Sequence, residues 1–317
     1  ETEFAVATAA EMMQEQPSWS MALVSATVNS EEIRRAYTAI NEKPIPEITI
    51  EGRPHEIAYH ERPDKTIVDM YDEVAADANK TLIFTDGKRS IGAIIKELQR
   101  RHPDARILPL HSKITPDQRR AIFSEESDQK TIIVSTSAGQ SGITIPGVDT
   151  VISDGWTKSP ELDGENTPGL PRRRCSKAEL TQQMGRGARD IENGNFYLAQ
   201  PLPSSAQFLG DNDFVPFDQR EEHAPADIYH TVITRNVLKT AAMDRDFYSI
   251  NEYLIHKVTK DTIDEAYAVL KLMGAVDERN EVTDVGREMD KYPLRPELAR
   301  AIAEVQLNGN EKQKYQL

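Results

Sequence analysis

From Lys65 to Leu198 short apolar segments alternate with amphipathic ones, and that alternation restricts the fold more than any other feature of the chain. A helix over Val68 to Ala78 precedes Thr81-Leu82-Ile83-Phe84, and a helix over Ser90 to Arg101 precedes Ile107-Leu108-Pro109-Leu110. A third helix, Pro116 to Phe123, precedes Lys130-Thr131-Ile132-Ile133-Val134. Val148 to Ile152 is a further strand, and a helix from Lys177 to Ala188 leads to Asn195-Phe196-Tyr197-Leu198. Short apolar strands alternating with helices of about ten residues predict an α/β fold, a parallel sheet with helices on both faces.

The flanks read differently. Met21-Ala22-Leu23-Val24 is expected as a buried strand, and Asn29 or Ser30 as the cap of a helix through Glu31 to Tyr37. Glu47 to Ile50 and His55 to Tyr59 are expected as extended segments, with a first boundary at Glu61-Arg62-Pro63-Asp64. Trp156 to Cys175 is a Pro-, Gly- and charge-rich excursion, and Pro201 to Pro216 a second linker. Beyond it, Asp227 to Met243, Ser249 to His256 and Thr262 to Leu272 carry apolar residues at helical spacing. A small hairpin across Glu278-Arg279-Asn280 completes a winged-helix pattern, and a last helix runs from Arg295 through Leu307.

Composition narrows the function classes. Thirty-eight Lys+Arg against 52 Asp+Glu give a net charge of −14, so bulk charge does not hold this chain on nucleic acid or an anionic membrane. Contact with nucleic acid must rest on local cations and backbone donors. No apolar run reaches the roughly 18 residues that span a bilayer. The single cysteine, Cys175, fits a reducing intracellular compartment, cytoplasmic, or nuclear in a eukaryote. A start at Glu1-Thr2-Glu3 leads us to expect a piece of a longer protein.

In open parallel sheets ligands gather beyond the carboxyl ends of the strands. Four segments are expected there: Ser25-Ala26-Thr27, Thr85-Asp86-Gly87, Ser135 to Gly142, and Gln182 to Arg189. In the last, Arg186 and Arg189 lie three residues apart among glycine and alanine, so that both guanidinium groups project from one helical face. Such a pair matches phosphate oxygens; the bland alternative is a solvated basic turn.

Taken in order, these segments resemble the motifs of the DEAH/RHA branch of superfamily-2 helicases. Ser25-Ala26-Thr27 resembles motif III, Leu82 to Gly87 motif IV, Thr136 to Val148 motif V, and Gln182 to Arg189 motif VI. Leu110-His111-Ser112 with Gln118 and Ile122-Phe123 is similar to the stretch the family carries after motif IV. Leu272 to Ala275, Thr283 to Arg287 and Pro293 to Pro296 resemble its helicase-associated region. The resemblance implies a tail of a first RecA-like lobe (residues 1–62), a complete second lobe (63–205), a linker (206–224), a winged helix (225–293) and the start of a ratchet-like helical domain (294–317).

The same resemblance implies ATP with Mg2+ as cofactor, single-stranded or partly duplex RNA as partner, and protein activators, with no membrane. Gln182, Arg186 and Arg189 would meet the ATP phosphates, and Gly142 and Thr144 the nucleotide. Phe123 would stack on adenine, or else be an ordinary core residue at a helix end. Thr136, Thr85 and Ser112 would meet the nucleic-acid backbone, and Ser25, Ala26 and Thr27 would couple hydrolysis to lobe movement. Trp156 to Cys175 lies where the family carries a strand-separating β-hairpin; there Arg172, Arg173 and Arg174 are either phosphate contacts or part of a surface loop without a partner.

The chain departs from the family at Gln183 and Gln140, where arginine and glutamate are usual, at Gly142, where serine is frequent, and at His256-Lys257, where proline is common. No Gly-x-x-x-x-Gly-Lys-Ser/Thr and no Asp-Glu-x-His occur in it, and no His/Asp/Cys cluster has metal spacing. The 317-residue chain by itself is therefore expected neither to bind ATP tightly nor to hydrolyse it. Two other classes remain open: a non-catalytic nucleic-acid-binding protein on a helicase-like shell, and a DNA translocase. A small-molecule enzyme is disfavoured, since no Gly-x-Gly-x-x-Gly follows a strand.

Overall fold

The computed structural model describes residues 2–16, 18–25, 29–41, 44–50, 56–124, 129–140, 144–159, 161–162, 168–188, 193–203, 213–226, 228 and 233–309. Its strands in chain order are β1 (Glu56–Thr66), β2 (Lys80–Phe84), β3 (Arg106–Leu110), β4 (Thr131–Ser135), β5 (Thr150–Ser153), β6 (Trp156–Lys158), β7 (Glu161–Leu162), β8 (Pro168–Gly169), β9 (Arg172–Arg174) and β10 (Asn193–Gln200). Six form one sheet in the order β1-β10-β5-β2-β4-β3, with every pairing parallel.

The central strands β4 and β5 are buried along their whole length, around the apolar runs Ile132-Ile133-Val134 and Val151-Ile152. The edges carry what a centre would not tolerate. Pro109, which has no N–H to give a second neighbour, sits on edge strand β3. At the other edge β1 bears Glu61, Arg62, Asp64 and Lys65, with an irregularity between Arg62 and Thr66 around Pro63. Charges, proline and a bulge deter edge-to-edge pairing. β1 also runs across the boundary expected near residue 62, placing residues 56–62 in this sheet.

Helices cover both faces because successive strand residues point to opposite sides. Ile83 and Ile132 pack with α3 (Ile67–Val74) and α4 (Lys88–Arg101), whose Ile91, Ile94 and Leu98 recur at helical spacing. Leu82, Ile133, Phe84 and Phe196 pack on the opposite face with Ile122 of α5 (Pro116–Phe123) and Leu180 of α6 (Lys177–Met184). Reciprocal capping boxes, Thr115 with Gln118 and Ser176 with Glu179, fix the starts of α5 and α6.

After the lobe come α7 (Thr234–Ala242), α8 (Phe247–Tyr253), α9 (Lys260–Leu272), α10 (Asp284–Asp290) and α11 (Pro296–Asn308). The expected hairpin is reduced to one antiparallel bridge, Val276 to Val282. Helix α10 is absent from the sequence reading. Gly286 interrupts its pattern, yet a Cβ there would lie 2.0 Å from the Ala275 carbonyl oxygen, so the glycine permits the packing.

The amino-terminal segment departs most from expectation. Two helices, α1 (Thr2–Glu15) and α2 (Ser30–Asn41), precede β1. Phe4 and Ala7 of α1 join the helical core around Phe247, with the Phe4 and Phe247 rings stacked at 6.0 Å. Arg245 clasps Glu11 and Glu15, the latter at 2.7 Å. Met21 to Val24, expected as a buried strand, is irregular, and Val24 is 95% exposed. A buried strand needs neighbours, and no strand among the described residues pairs with it.

Candidate functional site

The candidate residues collect at two opposite ends of the same parallel strands. At the carboxyl end, sheet order β5-β2-β4-β3 brings Asp154, Thr85 with Asp86, Thr136, and Ser112 side by side. Backbone bonds tie these strand exits together: Thr85 N–H donates to Ser135 O at 2.9 Å, Asp154 N–H to Phe84 O at 3.2 Å, and Thr136 N–H to Leu110 O at 3.3 Å. Ser112 is exposed and Thr136 half-buried. Thr85, expected to face nucleic acid, is only 2% exposed, and its hydroxyl donates to Asp154 Oδ2 at 2.6 Å.

Asp154 went unnoticed in the sequence, where a lone acid after a strand carries no signal. It accepts from the Trp156 amide at 2.9 Å, and its carboxyl is pushed up to about 7. Loss of hydration on burial is the main cause; Asp86 reinforces it, while the Thr85 hydroxyl, the Trp156 amide and Arg172 oppose it. A raised carboxyl favours the folded state when protonated. Its contribution is complete below the unfolded value near 3.8 and fades as pH rises through about 7. Against Asp154→Asn, the wild-type chain should therefore lose relative stability across this interval, by at most about 4 kcal/mol. Urea unfolding of both chains at several pH values measures the gap. A gap constant with pH would mean Asp154 stays ionised throughout.

The excursion after β5 folds back on itself as two antiparallel pairs, β6 with β9 and β7 with β8. Of the three arginines read as phosphate contacts, Arg172 is enclosed in the lobe, while Arg173 and Arg174 are half-buried and bonded to groups of this chain. Arg172 Nε lies 3.1 Å from Asp86 Oδ2, the two side chains are 3% and 4% exposed, and its guanidinium covers the Trp156 ring at 3.9 Å. Arg173 grips Glu179 of α6 with two bonds, 2.7 and 2.8 Å, and Arg174 reaches the Asp213 carbonyl at 3.3 Å. Arg172 and Arg174 both lie over the one Trp156 ring across the hairpin, at 3.9 and 5.1 Å, a pairing that the run of three cations disguised.

At the amino end lie the residues read as nucleotide contacts. Lys80, the first residue of β2, donates through Nζ to Ser124 O at 3.3 Å and Pro146 O at 2.8 Å. It thereby ties the end of α5, where Phe123 is half-buried on the core, to the loop carrying exposed Thr144. The arginine segment arrives here too: Ala188 N–H donates to Val148 O at 3.0 Å, ahead of β5. It was expected at the carboxyl ends with the other loops, and as a helix through Ala188. The helix instead stops at Met184, and Arg186 occupies the turn that follows, its N–H on Gln183 O at 3.0 Å. Ala188 holds φ at 50°, left-handed backbone that costs an L-residue about 1 kcal/mol. Gly194 makes room for it, since a Cβ there would lie 2.7 Å from the Ala188 Cβ.

One bridge joins the loop after β4 to this helix. Buried Gln140 donates through Nε2 to Glu179 O at 3.2 Å and to Gln182 Oε1 at 3.3 Å, orienting Gln182. Gln183 turns inward at 2% exposure, its Nε2 3.6 Å from Cys175 Sγ. Ser25 is exposed; Ala26, Thr27, Gly142 and Arg189 lie outside the described residues. Among the described residues no group of three or more His, Cys, Asp or Glu could hold a metal, and no helix is long and apolar enough to cross a membrane. The donors at the amino end are a guanidinium and a hydroxyl, which suit phosphate oxygens rather than a cation.

This parallel sheet, covered on both faces and carrying polar loops at both ends, defines a RecA-like lobe followed by a helical module. Residues 65–190 match the family of the helicase conserved C-terminal domain. Over these residues the chain carries the helicase C-terminal domain, and in sequence it is similar to ATP-dependent RNA helicases. The ATP-dependent RNA helicase HrpA of Borreliella burgdorferi is 28% identical over 236 residues, 73% of this chain and 27% of that protein. HrpA of Escherichia coli is 25% identical over 319 residues, 94% of this chain and 23% of that protein. The chain thus spans about a quarter of the length of these relatives. The crystal structure of Escherichia coli DEAH/RHA helicase HrpB has the same fold, with a TM-score of 0.71 at 18% identity over 95% of this chain and 37% of that one.

Proposed function

We propose that this chain serves as the second lobe and winged helix of an ATP-dependent RNA helicase. The observation that carries the proposal is the separation of its polar loops: phosphate-type donors at the amino end of the strands, small hydroxyl residues at the carboxyl end, and α6 running between them. A motor needs such a division, because nucleotide and strand must bind at different places and still sense each other. In this reading Arg186 and Arg189 meet the γ-phosphoryl group and Gln182 orients beside them, while Thr144, Gly142 and Phe123 border the nucleotide. Thr136 and Ser112 face the nucleic-acid backbone. Ser25, Ala26 and Thr27 belong to a first lobe that supplies the phosphate loop and holds Mg2+.

ATP bound there supplies the free energy of its hydrolysis; the residues of this chain bind, orient and neutralise charge. Protein activators and an intracellular setting, cytoplasmic, or nuclear in a eukaryote, belong to the same proposal. The departures at Gln183 and Gly142 motivate the non-catalytic alternative; of the two, Gln183 turns into the lobe at 2% exposure. In the intact protein, a single-stranded RNA should raise ATP turnover about tenfold or more over the basal rate, and a matched DNA strand should raise it less. Equal stimulation by both strands would make it a general translocase, and none by either would make it a non-catalytic binder.

A further inference from the structure

The segment between the lobe and the helical module, expected as a linker, is a strap bonded to three parts of the lobe. Phe217 N–H donates to Glu61 Oε1 of β1 at 2.7 Å, and the Phe217 ring meets Tyr59 edge-on at 5.6 Å. The carbonyls of Glu221 and Glu222 accept from the N–H groups of Lys177 at 2.8 Å and Ala178 at 3.0 Å. Those amides open α6 and have no partner within the helix, so the strap completes the helix start. Between these contacts Arg220, 8% exposed, turns its side chain inward.

Arg220 binds the base of the hairpin. Its Nη1 donates to Gly155 O at 2.8 Å and to Cys175 O at 3.0 Å, and its Nε donates to Val215 O at 3.0 Å, bending the strap onto itself. Gly155 and Cys175 immediately flank strands β6 and β9, and Cys175 N–H closes the neck on Gly155 O at 2.9 Å. Gly155 is shaped for this approach: φ is +72°, and an added Cβ would sit 2.5 Å from Arg220 Nη2. The planar guanidinium fixes the directions of its donors, so it sets the two neck carbonyls and Val215 O in one geometry that a rotating ammonium does not impose.

We propose that Arg220 is a positioning residue that locks the hairpin neck, the strap and the start of the arginine helix into one unit, so that movement of the helix is passed to the hairpin. The use of that movement in strand separation rests on the function proposed above; the lock itself does not. Arg220→Met keeps the aliphatic stem and removes every donor. Arg220→Lys keeps the cation and serves as the milder variant should the methionine chain fail to fold.

Hydrogen exchange resolved by residue tests the lock directly on the chain. In the variant, the amides of Cys175, Lys177 and Ala178 should exchange together, about tenfold faster than in wild type, while β2, β4 and β5 stay protected. Faster exchange at Cys175 with Lys177 and Ala178 unchanged would overturn the proposal, as would no change at all. In the intact protein, base pairs separated per ATP hydrolysed should fall about fivefold with basal ATP turnover unaltered. Joint loosening with an unchanged ratio would reduce Arg220 to a packing role and overturn the transmission. If the wild-type protein separates no strands, the proposed function fails, and the exchange result still decides whether the lock exists.

Discussion

Arg186→Ala in the intact protein is expected to lower the maximal rate of ATP turnover by about 10²- to 10³-fold while changing apparent ATP affinity only a few-fold. The side chain follows the end of α6 at Met184, in a turn fixed by Ala188 N–H on Val148 O at 3.0 Å, so the guanidinium is delivered from rigid backbone. A donor fixed before charge develops on the transferred phosphoryl group costs no reorganisation in the transition state, which is why its removal should act on rate more than on binding. Steady-state turnover of ATP by the purified variant measures this, and Arg186→Lys should recover little because one ammonium does not reproduce the planar fork. A rate within about threefold of wild type would remove Arg186 from the proposed chemistry.

Arg172→Ala should be the most damaging single change to the stability of the lobe, about 3–5 kcal/mol. Asp86 and Arg172 are both almost wholly enclosed, at 4% and 3% side-chain exposure, and 3.1 Å apart. Taking away the cation leaves an enclosed carboxylate with the Ser90 hydroxyl as partner but without its countercharge, beside the second acid Asp154, and uncovers the Trp156 ring. Removing both members tests the cause. Arg172→Met with Asp86→Leu should recover most of the loss, since apolar side chains of similar bulk replace buried ion pairs with little penalty. Urea denaturation of the single and double variants supplies the comparison. A loss below about 1 kcal/mol for Arg172→Ala would show that the pair behaves as a surface contact.

Legibility in the sequence followed locality. Strands such as Thr81 to Phe84 and Thr131 to Val134 were readable because burial on both faces leaves an unbroken apolar run, visible without any knowledge of neighbours. The end of α6 was signalled by Gly185, a glycine stop that the helix reading through Ala188 ran past, whereas the left-handed turn at Ala188 depends on Gly194, which belongs to another strand. Helix α1 was missed because its buried face includes Ala7 and Ala10, residues too small to mark a stripe. Met21 to Val24 shows the reverse error: strand-like composition cannot supply a strand to pair with.

The site followed the same division. The residue types at Thr136, Ser112, Thr144 and Arg186 were apparent as hydroxyls and a cation in turns, and their motif order carried the family. Their division between two ends was hidden, because the rule that ligands gather at carboxyl ends speaks of only one of them. The ties that enforce the division, Lys80 to two carbonyls and Gln140 to Gln182, are contacts of ordinary polar residues with partners far along the chain. Arg220 left no trace in the sequence for the same reason.

Helix α6 begins at the hairpin neck and delivers Arg186 to the opposite end of the sheet, with eight residues from Lys177 through Met184. At about 1.5 Å per residue that is a shaft of about 12 Å. A shaft transmits rotation as well as thrust, so its length sets a phase. One residue inserted ahead of Gln182 would turn everything beyond it by about 100°, swinging Gln182 off Gln140 and Arg186 away from its target with the whole composition intact. In the proposed motor, the count of residues from the cap at Ser176 to the arginine would thus be a timing constraint as binding as the identity of the arginine itself.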